Sequence, residues 1–384
     1  MNAHATVAGP ETDALEIVTS EARLAAIGPA WTELWGRADG LIFQSHAWVT
    51  AWWETLPDRE RRDLRIGLLW SGERLDAVMP FATFRRKGVR VLEWAAKDHS
   101  DYGDVLVTPG CDPAAIMPLW KKLSAGGGFD LVYLNRLLPD AAMRPLLAPA
   151  RMPGVRLRPN HRSETSFRVA GPWQKGADWF ALQSKKTRQN YRRGRKFLEE
   201  AGEVRFRLMS PDEPMQPILD RLAGFKRKWL AAHGHESNLF DEGAPALAAL
   251  VAVLAKEGLL HVFVLECAGS VVAVSINFVQ RNTMMAFVTT YDSDFERASP
   301  GMVLMMDYIQ WSLDRGLTMV DFLCGGEDFK RRFATQSVTL DSVLGARTLR
   351  GTLAALADQA IHNGKELRQR MRARAEPRQA ETAD

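Results

Sequence analysis

Cysteine is scarce in this 384-residue chain. Its three cysteines, Cys111, Cys267 and Cys324, are odd in number and widely spaced, so they form neither a disulfide framework nor a metal cluster. A reducing compartment is the expected home. No apolar run approaches the roughly 20 residues that a membrane-spanning helix needs. The opening MNAHATVAGPETDALEIV has no basic stretch ahead of an apolar core, which argues against a secretory leader and for a cytoplasmic protein. Charge of one sign is missing too: a net +4 over this length gives no general affinity for nucleic acid.

What is present reads as a soluble α/β (mixed α+β) chain, too long for one ordinary core, with helical stretches alternating with strands. A strand over 15–19 and a helix over 21–35 lead to the helix SHAWVTAWWETL (45–56), capped by Ser45 and ended by Pro57. Strands over 64–70, 75–84 and 89–95 then form a meander, followed by DYGDVLV, a helix over 114–124 and a strand over 131–135. A Pro- and Arg-rich stretch, 139–159, closes the first unit. The second repeats the order: a strand at 166–169, helical 179–201 with a break near Ser184, a strand over 204–209, and helices over 214–233 and 245–256. The strands 260–267, 271–280 and 283–291 follow, then a helix over 300–314, a strand over 319–323, a turn EDFKRRF and a strand near 338–344. The boundaries read as 1–162, 163–350, and a terminal helix with a basic tail over 351–384.

The stretch RASPGMVLMM (297–306) holds the strongest local signal. Ser299 is a suitable N-cap and Pro300 suits the first helical position. Gly301 leaves room for a ligand to reach the first-turn amides, which favour an anion. If the flanking strands are parallel, this helix start opens at their C-terminal ends, where α/β sheets bind ligands. A second signal is KKTRQNYRRGRK (185–196), seven cations without an acid, with Lys185, Arg188, Arg192 and Arg195 near one helical face. A solvated face explains it, as does an anionic partner. Only Tyr191 interleaves the run, which disfavours nucleic acid.

Together, KKTRQNYRRGRKFLEE, YDSDFERASPGMVLMMDYIQWSLDRGL and DFLCGGEDFKRRFA resemble the GNAT acyltransferase fold. The likeness is to its CelD/BioF2-type branch, related to the Fem-type aminoacyl transferases. The resemblance covers the second unit; the first matches by order of elements and by DYGDVLV. It implies two tandem GNAT-like units, each a mostly antiparallel central sheet flanked by helices. It further implies an N-acyltransferase that uses acyl-CoA (acetyl-CoA or longer), needs no metal and acts on a small amine acceptor. An amino sugar or amino acid of an envelope or exopolysaccharide pathway is the acceptor it suggests. In GNAT enzymes an Arg/Gln-x-x-Gly-x-Gly/Ala pattern holds the CoA diphosphate. Here Arg297 leads, but Pro300 and Met302 stand at the glycine positions, with Gly301 between them.

Carried onto this sequence, donor binding falls to Arg297, Ser299, Gly301, Met302, Val303 and Lys330. Asp292 is the first choice as base, Tyr291 as proton donor to the leaving thiolate, with Glu327 beside them. Asp101, Asp104 and Asp321 are expected to meet the acceptor between the units. The basic helix 185–196 suits an acyl-carrier protein or another anionic partner. An aminoacyl-tRNA donor and a degenerate, non-catalytic binding subunit are the alternatives. Trp48, Trp52 and Trp53 read as core, and His46 as a helix-start residue. His233 and His235 read as a loop near the acceptor rather than a metal pair, and Cys324 lacks a histidine to activate it.

Overall fold

The computed structural model describes residues 13–112, 115–147 and 154–375. The opening residues on which the leader was judged, Ala114 at the expected helix start and the end of the basic tail lie outside them.

The first unit comprises β1 (Asp13–Val18), α1 (Glu21–Ala26), α2 (Gly28–Arg37), α3 (His46–Glu54), β2 (Arg62–Leu64), β3 (Ile66–Ser71), β4 (Arg74–Met79), β5 (Phe81–Arg86), β6 (Val89–Trp94), β7 (Leu106–Val107), α4 (Ile116–Gly126) and β8 (Leu131–Leu137). Two expected elements are split. The helix over 21–35 breaks at Ile27, where Gly28-Pro29 start a new helix. The strand over 75–84 breaks at Pro80. With no N–H for the ladder, Pro80 is where the chain leaves one sheet and enters another. β4 pairs with β3 and β7 in a four-stranded sheet, β5 with β6 and β2 in a 12-stranded one.

The second unit comprises β9 (Arg158–Pro159), β10 (Glu164–Ala170), α5 (Gly176–Leu182), α6 (Lys185–Ala201), β11 (Val204–Leu208), α7 (Met215–His233), α8 (Pro245–Lys256), β12 (Leu260–Cys267), β13 (Ser270–Gln280), β14 (Thr283–Tyr291), α9 (Pro300–Asp314), β15 (Met319–Cys324), α10 (Asp328–Phe333), β16 (Gln336–Ala346) and α11 (Leu349–Ala375). The break at Ser184 is a cap: its Oγ accepts from the Thr187 amide, 3.1 Å away, and opens α6.

The units are knitted rather than strung. The 12-stranded sheet runs β11-β12-β13-β14-β15-β10-β16-β8-β6-β5-β2, and its twelfth strand, β9, pairs with β16 off this path. β16 is the seam, pairing through Leu340 with β10 and from Asp341 with β8. Helix packing joins the units as well. Trp48 and Trp52 on α3 are fully buried in a core that continues into α7 and α8, and Trp48 meets Phe287 of β14 edge-on at 5.6 Å.

Two strand pairs in this sheet are parallel, β6 with β8 and β14 with β15. In each a helix, α4 or α9, lies between the strands in sequence. Each unit thus holds one parallel pair bridged by a helix among otherwise antiparallel strands, and the second pair positions the site.

A candidate active site between splayed strands

β14 and β15 pair only at Thr283–Met285 with Met319–Asp321. Beyond that point β14 stays with β13 and β15 turns to β10. A bulge sharpens the divergence: Val288 faces Ile276 and Ala286 faces Asn277, so Phe287 is an extra residue in β14. Leu323, at φ 59, turns β15 away from the other side. The wedge is a cavity of about 580 Å³. Ala286–Tyr291 and Phe322 form its sides, Met305 and Tyr308 of α9 its floor, and Lys226 and Trp229 of α7 part of its roof. An unpaired strand edge and a floor of apolar side chains suit an extended ligand with amide groups.

The far end belongs to the first unit. Between β6 and α4 the chain carries Asp98, His99 and Asp101 into this cavity, and Arg136 reaches it from β8. Asp101 accepts from the Cys324 amide at 3.2 Å. Burial pushes its carboxyl up to about 6, against the opposing pull of Arg136 and Lys330. His99 is buried, its Nδ1 has no hydrogen-bond partner among the described residues, and burial holds its pKa below the usual histidine value. A carboxylate with its pKa raised to about 6 is a stronger base than an ordinary one, and a neutral imidazole beside it can also accept a proton.

The cations are tied down to different degrees. Lys330 donates to the Cys324 carbonyl at 2.7 Å and pairs with Glu327 at 3.1 Å. Lys226 has no carboxylate partner among the described residues. It lies over the rings of Trp229 and Phe240, and burial lowers its pKa. Tyr308 on the floor is fully buried and set against Thr289 and Ser275; burial raises its pKa and keeps its phenol protonated.

The residues expected at the site divide into three groups. Tyr291, Glu327, Lys330 and Asp101 line the cavity together. Arg297, Ser299, Gly301, Met302 and Val303 surround the opening turn of α9 but do not line it. Ser299 is not the expected N-cap: it adopts φ 50, ψ 54, and its side chain accepts nothing from the first turn. The reason is the preceding 3-10 turn, Ser293–Ala298, which runs straight into α9, so Ser299 must reverse the chain. Asp292 caps that turn, accepting from the Asp294 amide at 3.1 Å, and lies off the cavity. Gly301 is buried, and a Cβ there would stand 2.9 Å from Tyr291 Cδ1, so this glycine makes room for a ring. Val303 is buried where Gly194 of α6 packs against this turn. Arg297 stacks on Phe197 of α6, 4.5 Å from the ring centre.

Asp321 and Asp104 form the third group. Asp321 is 1% exposed; Tyr102, Ser166 and Arg168 all donate to it at 2.8–2.9 Å, and so does the Leu323 amide. It clamps the units together and has no oxygen left for an acceptor. Asp104 lies away from the cavity and staples a loop, accepting from the amides of Val105, Ala142 and Met143. Cys324 donates to Glu164 at 2.8 Å, and burial raises its pKa, so it remains a thiol. In the basic run, Arg195 and Tyr191 turn inward to Asp307, and Lys185, Lys186, Arg192 and Arg193 stay exposed. Among the described residues, no group of three or more His, Cys, Asp or Glu side chains could hold a metal ion. No described helix is long and apolar enough to cross a membrane.

Residues 185–331, which hold α6, the splayed strands and α9, match the model of the acetyltransferase (GNAT) domain. That segment carries a GNAT-type acetyltransferase domain. No curated protein matches this chain by sequence. Among solved structures, the C-terminal domain of a candidate lysylphosphatidylglycerol synthetase from Agrobacterium fabrum superposes with a TM-score of 0.53 at 14% identity, over 88% of this chain and 95% of that one. FemX superposes with a TM-score of 0.53 at 8% identity, covering 85% and 96%. A conserved protein of unknown function from Bacteroides thetaiotaomicron gives 0.51 at 12% identity, covering 86% and 100%. At such identities the likeness concerns the fold, and it extends over both GNAT-like units.

His99, Arg136, Lys226 and Tyr308 were not singled out from sequence. His99 stands two residues from Asp101 in a stretch already rich in acids, the one legible hint. The others are isolated residues in ordinary strands and helices.

Proposed function

We propose that this GNAT protein is an N-acyltransferase that takes an acyl-CoA and transfers its acyl group directly to an amine held between the units. The observation that carries this reading is the open wedge between β14 and β15, walled at its far end by proton-accepting groups of the first unit. The thioester lies along the free edge of Ala286–Tyr291. The amine nitrogen attacks its carbonyl carbon, the C–N bond forms and the C–S bond breaks. The amine proton passes to Asp101, with Glu327 and His99 beside it, and the leaving thiolate takes a proton from Tyr308 or Tyr291. This reading moves the base from Asp292 to Asp101, since Asp292 is spent on a turn. Arg297, Ser299, Gly301, Met302 and Val303 remain the donor's diphosphate end, with Tyr291 the ring that must turn aside to free the Gly301 amide. Holding both reactants in one cleft supplies much of the rate without a covalent intermediate.

Acetyl-CoA and longer acyl-CoAs, added at concentrations far above micromolar, are expected to raise the melting temperature, because a ligand that binds only the folded state stabilises it. No shift with any of them removes the acyl-CoA reading and favours a non-catalytic binding subunit.

One observation favours a second reading. Lys185, Lys186, Arg192 and Arg193 on α6 face outward with no carboxylate partner among the described residues, beside the turn that opens α9. An acidic carrier of the acyl group, an acyl-carrier protein or an aminoacyl-tRNA, fits such a face. A tRNA gel shift that weakens steeply with salt supports the tRNA donor.

A further inference from the structure

We infer that Arg136 selects the acceptor, binding a carboxylate or phosphate carried by an amine whose nitrogen lies at Asp101. The inference rests on the transferase reading and adds the acceptor's chemical class: an anionic amine rather than a plain amine or a neutral amino sugar.

Arg136 sits at φ 60 inside a strand, a left-handed conformation that a non-glycine residue keeps only where its surroundings hold it. Its carbonyl accepts from the Gly103 amide at 3.1 Å, and Leu137 resumes pairing with Asp341 directly afterwards. The kink turns the side chain to the cleft. There Nη1 donates to the Ser100 carbonyl at 2.6 Å and Nε to Glu164 at 3.2 Å, which fixes the guanidinium plane. Among the described residues Nη2 has no hydrogen-bond partner. A fixed guanidinium with one bare edge is a pre-organised receptor for an oxyanion.

Its surroundings agree. Arg136 and Asp98 stand in the wall shared by the reaction cavity and a second one, also about 580 Å³. That second cavity is polar, with Glu236, Ser237 and Asn238 on its outer side, next to the His233 and His235 loop expected to border the acceptor. Asn135, 5% exposed, faces it with a buried Oδ1 that lacks a partner, a place for a donor on the incoming molecule. Of the other cations near this wall, Arg62 is engaged by Asp58, Glu93 and Asp98, Lys97 by Glu93 and Lys330 by Glu327, while Lys226 stands in the roof over the rings of Trp229 and Phe240. An acceptor that spans both cavities presents its anion to Arg136, its nitrogen to Asp101 and its remaining polar groups to Asn135.

The test uses the whole chain with acetyl-CoA and matched acceptors: alanine against ethylamine, glycine against methylamine, and glucosamine 6-phosphate against glucosamine. Acylation is followed by thiol release, and binding by thermal shift. At least one anionic member is expected to exceed its neutral counterpart by about tenfold or more in kcat/KM. The pair in which this happens distinguishes carboxylate from phosphate. Arg136→Lys keeps a cation beside Glu164 and is expected to raise KM for the anionic member while leaving kcat and the acetyl-CoA shift unchanged. Neutral amines that match their anionic counterparts overturn the inference, as does a panel in which no anionic amine reacts or stabilises the protein. The acetyl-CoA shift in the same samples reports on the transferase reading separately. If Arg136→Lys does not fold, the wild-type comparison decides.

Discussion

The two parallel strand pairs have the same connectivity and opposite fates. In the first unit β6 and β8 pair at Val91–Leu92 with Leu131–Val132 and then part, as β14 and β15 do. Trp94 closes that gap. It is 4% exposed, donates to the Asn135 carbonyl at 3.0 Å and lies 5.0 Å from the Phe81 ring. Gly103 presses so closely on it that a Cβ would come within 2.1 Å of the indole. In the second unit the corresponding space is left open, with a bulge in β14 along it. The chain that leaves β6 crosses to the second unit and delivers His99 and Asp101 to its cavity. One unit has become part of the wall of the other's cavity, and the side chain of Trp94 is what distinguishes the filled gap from the open one.

The sharpest way to break this comparison is to remove what the first unit delivers. Asp101→Asn is expected to cut turnover by about a hundredfold or more while the protein stays folded and still binds donor. With the wild type saturated in acceptor, kcat should climb with pH through about 6, the value to which burial pushes Asp101, and that limb should vanish in Asp101→Asn. Stability moves the other way. A carboxyl whose pKa is raised on folding favours the folded state below its unfolded value and loses that contribution as pH rises through about 6, so the variant should lack this decline.

Asp321→Ala attacks the clamp between the units. It leaves the buried Tyr102 and the half-buried Arg168 without their shared partner, and urea unfolding should show a loss of about 3–5 kcal/mol. An acceptor-binding role would instead predict a change in KM at unaltered stability. Trp94→Ala empties the closed gap. It is expected to cost about 3–5 kcal/mol and to add no second acetyl-CoA equivalent by calorimetry. A second equivalent would mean that one side chain separates a structural unit from a binding one. The smallest effect belongs to Gly301→Ala, at about 1–3 kcal/mol, because the new methyl meets Tyr291. If donor affinity rather than stability responds, the glycine serves the ligand.

Much of this was legible along the chain. Meanders, crossover helices and the break at Ser184 follow from apolar period, turn residues and caps, which act over a few positions. The RASPGM segment was legible as a helix start but not in its geometry. Whether Ser299 caps depends on the direction from which the chain arrives, and the turn capped by Asp292 sets that. Carboxylates near the site were equally visible, yet nothing local separates Asp101, facing a cavity, from Asp321, locked by donors more than 150 positions distant in sequence.

By itself the sequence determined the elements, their order, the tryptophan core of α3 and the GNAT character of 185–331, since periodicity and capping are near-neighbour effects. Tertiary structure decided which gap is filled and which aspartate faces the cavity, and it gave Arg136 a bare edge. Each of these is a matter of long-range packing and of the cost of burying charge, and neither can be read from neighbours in the chain.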